Sequence, residues 1–242
     1  RKKAPRLATG AQCSAPYECG FLAHCQSAEP QAEHHVRWLP RRSQALKAHI
    51  EEHGISELRD VPDDLLNPTQ QRVKAATLSG QAFFDQPATA QALAAHKLPG
   101  YFIDFETIQF GVPLWKGTRP YQQLPFQFSV HRLGRTGRAI HQAFLDLSGG
   151  NPSLAFAQSL VAACGERGPV FVYNAAFETT RIRELAERHP RLAIALRAIN
   201  DRVVDLLPIA RQHYYHPSQQ GSWSIKAVLP ALCPELHYVA LD

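Results

Sequence analysis

The stretch GYFIDFETIQF, residues 100 to 110, sets the strongest constraint on any fold for this chain. Its aromatic and β-branched residues read as a strand, yet Asp104 and Glu106 stand in the middle of it. Strand side chains alternate between faces, so both carboxylates project to one side and Phe105 to the other. Charged groups are rarely buried without a partner, and two like charges side by side are worse. The strand therefore either turns a solvated charged face outward or holds its acids against a positive group. A divalent cation suits the second case. Hard cations take carboxylate oxygens, and a pair of them about 4 Å apart can hold the attacking and leaving oxygens of a phosphodiester.

The chain has 242 residues, 45% hydrophobic and 19% charged, enough for one large domain or a domain with an appendage. Composition divides it near residue 97. Residues 1–40 carry a cysteine cluster and little periodicity, and residues 41–97 read as a mostly helical linker. Within that linker RRSQALKAHIEEHG stops at Gly54 and NPTQQRVKAATLSG at Gly80, with GISELRDVPDDLL between them as a turn into another short helix. From residue 98 the pattern changes. YFIDFETI, LPFQFSVHRL and AIHQAFLDL read as strands with short connections, which suit an antiparallel meander. A helix follows over SLAFAQSLVAAC, then a buried strand in GPVFVYN and a helix over AFETTRIRELAERH. RVVDLLPIARQ and SWSIKAVLPAL come next, the second helical. The expected class is α/β: three antiparallel strands, then a parallel strand reached through a crossover helix, the order of a ribonuclease H-like mixed sheet.

Three further acidic positions join the first pair. Glu178 lies in the first turns of the helix after GPVFVYN, where a carboxylate can point back over the strand ends or simply complement the helix dipole. Asn174 at the strand end is a candidate nucleic-acid contact, with a turn or cap role as the competing reading. Asp205 stands in the apolar run VVDLL and needs a partner or a cap role, and HYVALD ends the chain with His237 and Asp242.

Asp-x-Glu on a first strand, an acid opening the helix after the fourth, an internal Asp and a late His-x4-Asp resemble the DEDD (DnaQ-like) 3′-to-5′ exonucleases. The resemblance covers residues 98–242. It implies a nuclease in which Asp104, Glu106, Glu178, Asp205 and Asp242 surround Mg²⁺ or Mn²⁺, with Asp205 a step removed and His237 as the base that activates water. Glu178 departs from the pattern, which has Asp there. DFET, GTRPYQQLPFQFSVH, VYNAAFE and GSWSIKAVLPAL are similar to an uncharacterised bacterial family of predicted nucleases. Its members continue past this chain's end with another acid, which leaves the last ligand open. The reading requires Asp104, Glu106 and Glu178 to converge. The alternative is a non-catalytic nucleic-acid-binding or scaffold module that keeps the fold without the full ligand set.

The remaining features concern partners. GVPLWKGTRPYQQLPFQ interleaves basic and aromatic residues; Arg119 and Tyr121 there, with Trp223 and Lys226 in GSWSIK, suit phosphate and base contacts to a single-stranded DNA or RNA end. A hairpin whose aromatics cover the sheet edge is the competing reading. Net charge +5 and a pI near 9 fit an anionic partner. Cys13, Cys19 and Cys25, spaced Cys-x5-Cys-x5-Cys, suit a soft metal, either zinc or iron–sulfur. PYECGF resembles the C-terminal cysteines of RecB-like nucleases that carry a [4Fe–4S] cluster, which implies an upstream nuclease domain in the same chain. The absence of Met likewise reads as a fragment of something longer. Cys164 and Cys233 read as core. No run is long and apolar enough for a bilayer, RKKAPRLATGAQC lacks the apolar centre of a signal peptide, and clustered thiols fit a reducing, cytoplasmic setting.

Overall fold

A computed structural model describes residues 9–13, 17–27 and 32–236. The first part is helical: α1 (Leu22–Ser27), α2 (Gln44–Glu52) and α3 (Pro68–Ser79), then the two-residue strand β1 (Phe83–Phe84) and α4 (Gln86–Ala94). Ser43 caps α2 by accepting the Leu46 N–H at 3.2 Å. Asn67 and Gln70 form a reciprocal capping box at the start of α3, and Gly80, at φ 70°, closes it in the left-handed conformation that glycine adopts without strain. The stretch between these helices is two 3₁₀ turns, Leu58–Asp60 and Asp63–Leu65. Leu58, Val61 and Leu66 of this stretch join Val36, Leu39, Leu46 and Ile50 in a small core of their own.

The second part builds the main sheet from β2 (Gly100–Ile108), β3 (Leu124–Leu133) and β4 (Ala139–Leu145). After these come α5 (Ser153–Cys164), β5 (Val170–Val172), α6 (Ala176–Arg188), α7 (Ala193–Asn200), β6 (Val203–Asp205), α8 (Leu206–His213), β7 (Tyr214–Tyr215) and α9 (Ile225–Leu232). The strand order is β4-β3-β2-β5-β6. β2, β3 and β4 pair antiparallel, whereas β5 runs parallel to β2 and β6 parallel to β5. Among the described residues this is an α/β protein with a five-stranded mixed sheet and nine α-helices.

The alternation along β2 positions the site. Tyr101, Ile103 and Phe105 are buried in the main core, while Phe102, Asp104 and Glu106 share the opposite, exposed face. Phe156 of α5 is fully buried and meets Phe105, Phe128 and Phe144 edge-on, with ring centroids 5.1, 5.3 and 5.8 Å away. β5 is buried at all three positions, as a parallel strand covered on both faces must be.

Two differences from the expected arrangement have physical causes. RVVDLLPIARQ is the fifth strand running directly into a helix, because Asp205 ends β6 and caps α8 by accepting the Leu207 N–H at 2.9 Å. The segment read as a linker packs into the rest of the protein: Val73 and Ala76 of α3 share a third core with Tyr214, Tyr215, Trp223 and Val228. β1 pairs antiparallel with β7, and Thr77 shares a hydrogen bond with the buried Tyr215 hydroxyl at 3.2 Å.

Candidate functional site

Asp104, Glu178 and Asp205 lie within reach of one another's charge where β5 ends and α6 begins. β2 runs parallel to β5 with Phe102 level with Phe171, so Asp104 lies level with the residues that follow β5. There the chain turns through Asn174, at φ 72°, a left-handed conformation that Asn tolerates better than most residues. Asp205 fixes the turn from the neighbouring strand. Its Oδ1 accepts the Asn174 N–H at 2.9 Å, and its Oδ2 accepts the Ala175 N–H at 3.1 Å. With the Leu207 bond, the Asp205 carboxylate satisfies three backbone donors. It clamps the turn that leads into the helix carrying Glu178.

Glu178 is 4% exposed, and its Oε2 finds no hydrogen-bond partner among the described residues. Burial pushes its pKa up to about 7. Its own backbone N–H opposes the rise, and the Asp104 and Asp205 carboxylates add to it. Asp104 keeps an exposed surface, yet the protein atoms around its carboxyl desolvate it enough to raise its pKa, against a hydrogen bond from the Phe105 N–H. A buried carboxylate with an unmatched oxygen and two acidic neighbours is electrostatically incomplete. A divalent cation would complete it, and Asp104 and Glu178 are the side chains to hold one.

Glu106 shares the Asp104 face, opposite Gln127, and the β2–β3 register shifts between Glu106 and Thr107. A bulge of this kind re-aims neighbouring side chains and is common beside active sites. Glu106 does not act on the Glu178 carboxyl as Asp104 does. Among the described residues no group of three or more His, Cys, Asp or Glu side chains is already gathered as a metal site. Of the three acids whose convergence the sequence reading requires, Asp104 and Glu178 thus lie within reach of each other's charge, with Asp205 behind them, and Glu106 stands alongside rather than gathered with them. His237 and Asp242 lie outside the described residues.

The other candidates divide. Arg119 is exposed and lies 3.7 Å from Glu184 of α6, ~9 Å further along that helix than Glu178. Its loop is anchored by Arg188, which donates to the Gly117 and Lys116 carbonyls at 3.1 and 3.3 Å, and by Trp115, which donates to the Gly149 carbonyl at 3.1 Å. Tyr121 is 71% exposed at φ 55°, a side chain offered to solvent from a held backbone. Asn174 is exposed and Lys226 lies on the exposed side of α9. Trp223 corrects the expectation of an open stacking platform. It is buried against Tyr215, and its indole N–H is spent on the Tyr214 carbonyl at 2.8 Å.

Cys13 ends a 3₁₀ turn, Cys19 precedes α1 and Cys25 lies within it, tied locally by the Cys19 N–H to the Cys13 carbonyl at 2.8 Å. All three thiols are free, as are Cys164 and Cys233. Burial pushes the Cys164 thiol up to about 12 against the Arg202 charge, the behaviour of a core cysteine.

Sequence reasoning missed Tyr173 and Arg211. The Tyr173 hydroxyl donates to the Trp223 carbonyl at 2.7 Å and is pushed up to about 12, first by burial, with Arg211 opposing and Asp205 adding. Its one signal was a tyrosine ending an apolar strand beside the proposed acids.

The fold and site define an α/β protein with a buried glutamate, Glu178, in the field of Asp104 and Asp205 beyond the end of β5 in its mixed sheet. Residues 101–224 match the model of a family described as a domain of unknown function, DUF2779, and the chain belongs to that family. The match takes in Asp104, Glu106, Glu178 and Asp205. No curated protein matches the chain significantly, and neither does any solved structure.

Proposed function

We propose that this protein is a divalent-metal-dependent nuclease of the ribonuclease H-like class, removing nucleotides from a 3′ end of DNA or RNA. The observation that carries the reading is the buried Glu178 carboxylate, its Oε2 unmatched, lying in the field of Asp104 at the carboxyl end of β5. The strand order β4-β3-β2-β5-β6, antiparallel then parallel, supports the fold assignment. Asp104 and Glu178 would hold Mg²⁺ or Mn²⁺, with Glu106 on the same face as the next ligand. Bound there, the ion supplies charge stabilisation to the phosphoryl oxygens and lowers the pKa of water. Asp205 holds the β5–α6 turn in place. His237 and Asp242 are the proposed base and last ligand. Cys13, Cys19 and Cys25 are proposed ligands of an iron–sulfur cluster completed from an upstream domain, and iron analysis of protein purified without oxygen tests them. The net charge of +5 and the exposed Arg119 and Tyr121 suit a nucleic-acid partner, and a cytoplasmic setting fits the free thiols. Among the described residues no helix is long and apolar enough to cross a membrane.

A second reading has its own observation: no three acidic side chains are already gathered, which favours a module that binds nucleic acid without cleaving it. One assay separates the two. Single-stranded DNA and RNA labelled at the 5′ end, incubated with Mg²⁺ or Mn²⁺, yield a ladder shortening from the 3′ end if the first reading holds. The ladder disappears with EDTA and in Asp104→Ala. Bound but intact substrate with either metal would transfer the proposal to the binding module.

A further inference from the structure

A cavity of about 410 Å³ lies where the start of α3 meets α8 and the loop before α9. That volume falls within the ~300–1,000 Å³ of small-molecule sites. Arg41 and Arg211 line it with Asn67, Thr69, Gly221 and Trp223, and no carboxylate does. Neither guanidinium has an ion-pair or hydrogen-bond partner among the described residues; Arg41 is exposed and Arg211 half-buried, so both remain open to a ligand from solvent.

The walls are built. Arg41 sits at φ 46°, a strained conformation for a non-glycine residue. Gln70, 2% exposed, secures that turn by donating its side-chain amide to the Pro40 carbonyl at 2.8 Å. Gly221, at φ 79°, presses so close to Trp38 that a Cβ would lie 1.8 Å from the Trp38 carbonyl oxygen. Strain like that at Arg41 persists only where surrounding structure over-determines it, as at ligand clamps. The cavity also adjoins the acidic site. Tyr173 donates to the carbonyl of Trp223, a lining residue, and its hydroxyl feels the charges of both Arg211 and Asp205.

We propose that this cavity binds a phosphate group, gripped by Arg41 and Arg211 with the Thr69 hydroxyl and Asn67 amide alongside. Guanidinium forks match phosphate oxygens in pairs, and two unpaired arginines facing one space suit a dianion or a strand phosphate. As a phosphate site the inference stands alone. As a contact to the substrate strand it rests on the nuclease reading, and it places a phosphate of that strand on the α8 side of the carboxylates.

The test is binding in EDTA, so that no cleavage intervenes. Inorganic phosphate and a nucleoside monophosphate are titrated calorimetrically, and a fluorescent single-stranded oligonucleotide by anisotropy over a range of salt. Arg41→Gln and Arg211→Gln are each expected to weaken oligonucleotide binding about tenfold and to reduce the slope of log K against log salt by about 1. Arg41→Lys should restore the slope, which a merely structural defect would not allow. Loss of phosphate and mononucleotide binding with unchanged oligonucleotide affinity would keep the phosphate site and overturn the strand contact. Unchanged affinity and slope for every ligand in both Gln variants would overturn the proposal. These affinities are read in EDTA without turnover, and the 3′-end ladder is read with metal, so the two readings fail separately.

Discussion

Replacing Glu178 by Gln should alter how stability depends on pH, by an amount the structure sets. The carboxyl titrates at about 7 in the folded protein against an ordinary 4.5. Below pH 4.5 it is protonated in both the folded and unfolded chains and imposes no penalty. As pH rises through 4.5 the unfolded chain releases its proton while the folded protein retains it, so stability falls, and the fall is complete once pH passes about 7. At ~1.36 kcal/mol per pH unit the loss comes to about 3 kcal/mol. Glu178→Gln removes this term together with its coupling to Asp104 and leaves the surface acids titrating as before, so the difference between the two proteins reports it. Urea unfolding in EDTA at pH 4.5 and pH 8 measures the difference. Wild type should lose about 3 kcal/mol more than the variant across that interval, and excess Mn²⁺ at pH 8 should restore stability to wild type alone. Parallel pH profiles for the two proteins would refute the claim that Glu178 is a desolvated carboxylate in the field of other acids.

Other consequences follow from single contacts. Phe156→Ala empties the centre of the aromatic cluster and should cost ~3–5 kcal/mol in denaturant unfolding. Asp205→Asn turns one acceptor into a donor and leaves a backbone N–H of the β5–α6 turn unmatched, a loss of ~1–3 kcal/mol by the same assay. Gly221→Ala drives a methyl group into the Trp38 carbonyl and should destabilise by more than ~1 kcal/mol, read as a lowered thermal midpoint.

Much of this fold is written locally. LPFQFSVHRL and SLAFAQSLVAAC mark the bounds of β3 and α5, because each holds one periodicity between clear stops. β6 escapes such reading: three residues cannot display a period of two, and the helix that follows starts without a break. α7 is amphipathic, with Ala193, Leu196 and Ile199 buried, but Pro190 just ahead of it obscures its start. Of the site, Asp104 and Glu178 are legible because a charge in an apolar run demands an explanation. Asp205 is legible as a residue needing a cap or partner, and it has both. Trp223 misleads because local sequence cannot tell a stacking ring from a buried one. Arg41 and Arg211 stand 170 positions apart, and only the packing of α3 against the C-terminal half brings them to one cavity.

The central claim is that Asp104 and Glu178 form a divalent-cation site, and titration with Mn²⁺ followed by electron paramagnetic resonance tests it most directly. Wild type at pH 8 should show a saturable loss of the free-ion signal, abolished in both Asp104→Asn and Glu178→Gln and weakened as pH falls below 7. Equal Mn²⁺ binding by wild type and both variants, or none by wild type, would contradict it.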